Sequence, residues 1–334
     1  MIARSADEWK NLMANDDDRL IQEVLAELGR DADPKVIADR VKRLDLGLPA
    51  EDEFIAVCSW LGKTRLIHKL DQHQAPTYSR DDYQVPDLLA QYQDAGPVLI
   101  EVKAKKANTL SFKPDYLARL QSYANLLNIP LLIAWKFHGI WTLFDARHLA
   151  KARKNFNIRL DLALRENLLG VLAGDVAYKI SPGAGVNFRF KKEMLIDTEK
   201  TDDGFTEQWQ MRVDKVGFTS ADGVPTDTLD NEVTTLFTTW DLTEHQVHSD
   251  THVEMRFVAT DEDGMMFGHM ALVHLLNWSL PDGASINWRH AIRRDSVVSN
   301  MSNFSQALQS ALEQKVVRTI LNQHPQSWPE FLPK

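Results

Sequence analysis

The sequence predicts an α/β protein with a central mixed sheet flanked by helices, preceded by a helical extension and followed by an α+β region. Two apolar segments, 83–90 and 98–103, are joined by the turn signal Gln93-Asp94-Ala95-Gly96-Pro97, which is typical of a β-hairpin. Helix and strand patterns alternate as far as about residue 147. After residue 165 the chain contains mainly strand-like segments, separated by loops rich in Gly, Asp and Thr. We therefore predict three parts: 1–47, a helical extension; 48–165, the core; and 166–334, a C-terminal α+β domain.

The first elements are predicted to be helical. The segments 18–29 and 33–41 carry apolar residues at helical spacing, with a terminal glycine in one and a cap-and-proline start in the other. A third helix runs over 48–62, and Phe54, Ile55, Val57, Cys58 and Leu61 share one apolar arc. By this register Glu51 faces inward, where it calls for a metal or a basic partner, whereas Asp52 and Glu53 face outward. The alternative is that all three acids only complement the helix dipole, which is the interpretation favoured for Glu53. Cys58 is interpreted as a small core residue because it lies on the arc.

The middle of the chain continues the α/β pattern. Pro114 opens a helix, in which a stripe that includes Tyr116, Leu117, Leu120 and Ala124 is predicted to be buried. Residues 128–137 and 140–144 are predicted to be core strands. Further on, strands are predicted at 171–180, 187–190, 208–216, 232–239 and 252–259, and a closing helix at 303–322.

A carboxylate pair and a lysine are the candidate site. Glu101 and Lys103 are two residues apart on a strand and therefore project to the same face, and the hairpin can bring Asp87 beside them. Two carboxylates suit Mg²⁺, a hard cation that prefers oxygen ligands, and a lysine alongside can orient a water molecule or help to deprotonate it. Two carboxylates, a divalent cation and a lysine are together suited to catalyse the hydrolysis of a phosphodiester bond. The alternative is a structural Glu–Lys pair that offsets the cost of burying charge.

These residues, in this order, resemble the PD-(D/E)xK nuclease superfamily, and most closely the archaeal Holliday-junction resolvases, over about residues 49–147. The resemblance implies a restriction-endonuclease-like fold and Mg²⁺-dependent cleavage of nucleic acid, with Mn²⁺ as a substitute. It implies an active-site role for Glu51, and it matches Pro86-Asp87 and Glu101-Val102-Lys103 to the metal-binding and catalytic positions. Asp87, Glu101 and the Val102 carbonyl are then the metal ligands. The chain departs from the resolvases in its long extensions and in the polar insert 72–80.

Charge is unevenly distributed along the chain, whose formal net charge is −9. Residues 101–153 carry nine basic and three acidic side chains, whereas residues 191–263 carry six basic and eighteen acidic ones. The basic part suits phosphate contacts, and the acidic part suits a partner protein. The side chains predicted to contact nucleic acid are Lys105, Lys106, Lys113, Arg119 and Gln121. For the loop lysines an ordinary solvated loop is the alternative, and for Gln121 a structural hydrogen bond.

The sequence lacks several other signatures. It has no apolar run of eighteen residues, no signal-peptide pattern and no phosphate-binding P-loop, and His245, His248 and His252 lack the spacing of a zinc site. These absences favour a cytoplasmic protein. From the candidate site and the resemblance, we expect a metal-dependent endonuclease that acts on DNA, or alternatively on RNA. Its expected role is phage defence, restriction or DNA processing. We also expect a homodimer or larger assembly, with no membrane contact. The rival hypothesis is a nucleic-acid-binding or assembly protein whose nuclease-like core is gated by its C-terminal domain.

Overall fold

The computed structural model describes residues 50–71, 74–201, 204–277 and 303–333. The predicted helical extension, 1–47, lies outside the described residues. By contacts within the chain, Glu51–Lys334 form one compact unit. The division between residues 165 and 166 remains a prediction.

The first half of the described chain alternates helices and strands as predicted. In chain order its elements are α1 (50–61), β1 (Thr64–Lys69), α2 (Ser79–Asp82), β2 (Leu88–Tyr92), β3 (Pro97–Ala104), β4 (Thr109–Phe112), α3 (Pro114–Leu127), β5 (Leu131–Phe137), β6 (Ile140–Asp145), a 3-10 turn (Ala146–His148), β7 (Ala150–Lys151), β8 (Phe156–Arg159) and α4 (Leu160–Arg165).

A five-stranded mixed sheet forms the centre of this half. Its strand order is β1-β2-β3-β5-β6, and every neighbouring pair is antiparallel except β3 and β5, which are parallel. The predicted mixed sheet and the predicted hairpin are therefore confirmed. The hairpin pairs Leu88 with Ile100, so Asp87, which immediately precedes β2, lies beside the second half of β3.

Helices cover both faces of this sheet. Trp135 on β5 belongs to the apolar cluster that packs against α3, whereas its neighbour Lys136 contacts α1. Successive residues of a strand point to opposite faces, so α1 and α3 lie on opposite sides. The ring of Phe54 on α1 lies 4.9 Å from that of Trp141. A small antiparallel sheet, β4-β8-β7, flanks the core.

The second half contains the elements α5 (Leu169–Ala173), β9 (Val176–Ile180), β10 (Gly185–Thr201), β11 (Gly204–Thr219), a 3-10 turn (Ala221–Gly223), β12 (Pro225–Thr226), α6 (Asn231–Leu236), a 3-10 turn (Phe237–Thr239), β13 (Thr243–His248), β14 (His252–Val258), β15 (Met266–Phe267), α7 (Gly268–Asn277), α8 (Phe304–Glu313) and β16 (Val317–Asn322). They build an antiparallel sheet in the order β12-β11-β10-β14-β13 and a three-stranded sheet in the order β15-β9-β16.

Three predictions in this half were wrong in whole or in part. Residues 232–239 are helical, and Val233, Leu236 and Phe237 are buried at helical spacing. The segment was predicted as a strand because it is rich in β-branched residues. The predicted closing helix stops at Glu313, because Lys315 adopts a positive φ of 61° and the chain then enters β16. The predicted strand over 171–180 is a short helix followed by β9.

The second half packs directly on the first. Ser305 Oγ on α8 donates to the carbonyl oxygens of Leu61 and Gly174, at 2.8 and 3.0 Å. The amide of Trp141 donates to His269 Nε2 at 3.1 Å, and His269 Nδ1 lies 2.6 Å from the Asp175 carboxylate. Among the residues that the structure describes, no helix combines the length and the apolar character that a membrane span requires.

Candidate active site

The hairpin places Asp87 against the backbone of β3. Asp87 immediately precedes β2, and its Oδ2 atom accepts a hydrogen bond from the Val102 amide at 2.7 Å. This contact fixes the aspartate beside the strand that carries Glu101 and Lys103. The convergence expected from the turn signal is therefore present in the structure.

Glu101 is the buried centre of the cluster, with no exposed surface. Its Oε1 atom accepts hydrogen bonds from Lys103 Nζ and from the Tyr116 hydroxyl, the latter at 2.5 Å. Its Oε2 atom is also buried and has no hydrogen-bond partner. A buried carboxylate oxygen without a partner is costly, so this atom is a position where a cation would be stabilised.

Lys103 lies between the acidic groups. Its Nζ also donates to the Val102 carbonyl oxygen at 3.1 Å and lies 5.5 Å from the centre of the Tyr116 ring. Burial lowers the pKa of Lys103, but the negative charges of Glu101 and Asp87 outweigh that effect, and the net pKa is raised. The lysine therefore stays charged and donates hydrogen bonds to Glu101 and to the Val102 carbonyl oxygen.

The carboxylates repel one another in a poorly solvated environment. Burial raises the pKa of Asp87 well above its usual range, and the nearby Glu101 raises it further; Lys103 and the Val102 amide act in the opposite direction. Burial also raises the pKa of Glu51, with Lys69 as the main opposing influence. Such acids are stabilised in their charged form by an added cation.

Glu51 reaches the edge of the same cluster from α1. Its Oε2 atom lies 3.3 Å from Lys69 Nζ, at the end of β1, and its charge acts on both Asp87 and Lys103. Lys69 also forms an ion pair with Asp52. The structure therefore brings Asp87, Glu101 and Lys103 together on adjacent strands, whereas Glu51 pairs with Lys69 and influences Asp87 and Lys103 through its charge.

The predicted orientation of Glu53 was wrong. Glu53 is buried, and its carboxylate accepts from Lys136 Nζ at 2.5 Å and from Trp141 Nε1 at 2.9 Å. The buried arc of α1 includes Glu53 because β5 and β6 supply a cation and a donor for it, which the sequence of α1 alone does not reveal. Glu53 thus ties α1 to the sheet.

We expect Glu53→Gln to lower the free energy of unfolding by about 1.5–3 kcal/mol, because it removes a charge-assisted hydrogen bond to Lys136 while keeping an acceptor for Trp141. Glu51→Gln should change stability by less, since burial already disfavours the charged form of Glu51. Urea unfolding followed by circular dichroism measures both variants. Equal losses of stability would contradict the different roles assigned to the two glutamates.

Tyr116 and Lys69 were not predicted as site residues. Tyr116 matched the apolar stripe of α3, yet its hydroxyl contacts Glu101. Burial and the adjacent Glu101 raise the pKa of Tyr116, so its hydroxyl stays protonated and donates. The available signal was its place in the first turn of α3, the helix that packs on the Glu101 face of the sheet.

The residues predicted to contact nucleic acid lie on or next to β3 and α3, the elements that carry Glu101 and Tyr116. Lys105 and Lys106 are exposed just beyond β3, Lys113 is exposed immediately before α3, and Gln121 is exposed on α3. Arg119 is half-buried, with its Nε atom lacking a hydrogen-bond partner, and it donates to the carbonyl of Arg80 in the polar insert at 3.4 Å. The insert therefore packs on α3.

A divalent cation fits this donor set. Asp87, Glu101 and the Val102 carbonyl supply oxygen atoms at one place, and Glu101 Oε2 is free of other partners. No group of three or more His, Cys, Asp or Glu side chains in the part of the chain that the structure describes is arranged to hold a metal ion. The fit therefore depends on two carboxylates and a backbone carbonyl.

Comparison with known proteins supports the predicted resemblance of the core. Residues 75–173 match the family model described as archaeal Holliday junction resolvase (Hjc). The core resembles these resolvases. Among solved structures, the chain is similar to an Hjc of Archaeoglobus fulgidus, a Holliday junction resolvase from an archaeal hyperthermophile, at 20% identity and a TM-score of 0.28, over 33% of this chain and 87% of that one. No curated protein matches the chain.

The match to the resolvase model contains Asp87, Glu101 and Lys103. It does not reach Glu51, and it ends at α5. The predicted resemblance to the resolvases is confirmed for this part of the chain. The role of each side chain rests on the geometry described above.

Proposed function

We propose that this protein is a metal-dependent nuclease that cleaves DNA, with branched or junction DNA as the first substrate to consider. The observation that carries the proposal is the convergence of Asp87, Glu101 and Lys103 around a buried carboxylate oxygen without a partner. The resemblance of residues 75–173 to junction resolvases supports the choice of substrate.

Each side chain has a defined task in this proposal. Asp87, Glu101 and the Val102 carbonyl would hold Mg²⁺ or Mn²⁺, which supplies Lewis-acid activation of a phosphate when bound. Lys103 holds a proton at Nζ, orients the attacking water and stabilises negative charge that develops on the phosphate. Tyr116 keeps Glu101 Oε1 engaged, which leaves Oε2 available to hold a cation. Glu51 completes the acidic cluster.

The proposal is tested by incubating the full chain with supercoiled plasmid, linear duplex, single-stranded DNA, a four-way junction and RNA, each with Mg²⁺, Mn²⁺ or EDTA. We expect DNA cleavage with either metal and none with EDTA. Binding to DNA without cleavage of any substrate, in either metal, would favour the alternative of a binding or assembly protein with a nuclease-like core.

We place the activity in defence or restriction, with DNA processing as the alternative. About 160 residues follow the resolvase-like match, and they are more acidic than the core. An acidic surface is a poor direct partner for DNA, so this region suits regulation or assembly. Cleavage of phage DNA but not host DNA in cells would separate the two roles.

The exposed lysines near the site should contact phosphate groups. Changing Lys105, Lys106 and Lys113 together to Ala is expected to weaken duplex binding and to flatten its salt dependence. Each lost contact removes about 0.9 from the slope of log K against log salt. Fluorescence anisotropy between low and moderate salt measures this slope. The control, Lys315→Ala, changes an exposed lysine outside the basic stretch 101–153 and outside the resolvase-like match, and it should leave the slope unchanged. A triple variant with the wild-type slope would place the three lysines away from DNA.

A further inference from the structure

The long hairpin of β10 and β11, named the arm here, extends beyond the sheet that supports it. Strand β14 pairs with β10 only from Gly185 to Lys191, whereas β10 and β11 pair with each other as far as Thr201 and Gly204. Past Lys191, β10 is paired with β11 alone among the described strands. A two-stranded ribbon is marginally stable in water unless something packs on it.

One face of the arm is apolar. Directly opposite residues share a face, and the cross-strand pairs on this face are Phe188 with Val216, Phe190 with Val213, and Leu195 with Trp209. The register of the hairpin is irregular between these pairs, so side chains do not simply alternate between the two faces along each strand. As a result, the apolar side chains of these pairs lie on the same face. Ring contacts agree with this: Phe188 and Phe190 lie 6.1 Å apart, centre to centre.

This apolar face is covered near the body of the protein and open farther out. Phe218, two residues after Val216, stacks on the buried Phe237 at 5.7 Å. Farther out, Val213 remains 51% exposed and Leu195 43% exposed. Monomeric proteins seldom expose a continuous apolar face of this kind without using it for binding. The opposite face carries charged pairs such as Arg189 with Lys215, together with the exposed Met194.

The charges of the arm indicate what covers it. The root, residues 189–193 and 212–215, carries five basic and two acidic side chains. The described outer part, 197–201 and 204–207, carries three acidic and one basic. On the apolar face itself these charges are Lys192, opposite Met211 near the root, and Glu207, opposite Thr198 farther out, and two arms that run antiparallel place Lys192 of one copy beside Glu207 of the other. A parallel arrangement would place like charges together, and a nucleic acid would meet an apolar face with an acidic end.

We propose that the apolar face of the arm is a homodimer interface, in which two arms pack face to face and antiparallel. A two-fold arrangement brings the same patch of each copy into contact, and the charge pattern is self-complementary only in this way. The centre of the overlap falls at the level of Leu195 and Trp209, midway between the root and the outer acidic residues. The arm lies outside the resolvase-like match.

The sharpest test introduces a second cysteine on the arm. Cys58 is buried, so a cysteine introduced on the arm reports without interference. Leu195→Cys should form a disulfide-linked dimer under mild oxidation. Its matched control, Met194→Cys, changes the adjacent and similarly exposed residue on the other face, and it should stay monomeric on denaturing gels. Equal cross-linking of the two variants, or none for either, would overturn the proposal.

Sedimentation velocity gives an independent measurement that does not depend on cleavage. We expect wild-type dimers, at least a 100-fold weaker association for Val213→Asp on the apolar face, and a change of less than 3-fold for Gln210→Asp on the other face. Lys192→Glu and Glu207→Lys should each weaken the dimer, and the double variant should restore it. A wild-type monomer at all concentrations, or a double variant weaker than either single one, would refute the antiparallel arrangement. Circular dichroism confirms that each variant is folded.

Discussion

Glutamine at position 101 is expected to reduce DNA cleavage by at least about 1,000-fold, equivalent to roughly 4 kcal/mol of transition-state stabilisation. Glu101 has no exposed surface, and its Oε2 atom has no partner in the protein. Glutamine keeps the shape and can still accept from Tyr116, but the negative charge that attracts a divalent cation is lost. Mn²⁺ affinity, measured by titration calorimetry, should fall together with the cleavage rate.

Glu53→Gln is the matched control for this change. It replaces another buried glutamate, whose carboxylate is already bonded to Lys136 and Trp141. Compared at a temperature where both variants are folded, the Glu53→Gln protein should cleave at close to the wild-type rate and bind Mn²⁺ normally. Full activity of the Glu101 variant, or loss of Mn²⁺ binding in the Glu53 variant, would contradict the assignment of the site.

Lys103→Met should also abolish most cleavage, by about 100-fold or more, while metal binding persists. In the proposed mechanism the lysine ammonium stabilises charge near the reacting phosphate, and electrostatic groups of this kind contribute about two to three orders of magnitude to the rate. Removing it also takes a competing cation away from Glu101, so Mn²⁺ affinity should be equal to or higher than that of the wild type. Single-turnover cleavage of a labelled duplex and calorimetry measure the two effects.

Lys105→Met provides the comparison for Lys103→Met. Lys105 is exposed just after β3 and should affect DNA affinity more than the rate of the chemical step. A Lys103 variant that lost Mn²⁺ binding but cleaved normally at saturating metal would assign the lysine a structural role instead.

The central sheet could be predicted because its signals are local. Alternating apolar residues, the turn 93–97 and the proline that opens α3 each specify their element within a few residues. The hairpin then places Asp87 beside Glu101 by register alone. Family resemblance added the roles of these residues and the place of Glu51.

The features that were missed depend on distant parts of the chain. Glu53 is buried because Lys136 and Trp141, more than eighty residues away, provide its partners. Tyr116 looks like a core residue until Glu101 is placed beneath its hydroxyl. The helix at 231–236 carries β-branched residues that favour strand, and its packing overrides that preference.

The contact of Ser305 with Leu61 and Gly174 has a consequence for biosynthesis. The end of α1 receives this hydrogen bond from a residue 244 positions later in the chain. Contacts between residues so far apart in sequence are formed late and slow folding down. On the ribosome, the end of the helix that carries Glu51 therefore remains without this partner until almost the whole chain has been translated. We expect this delay to postpone completion of the candidate active site until residue 305 has been synthesised.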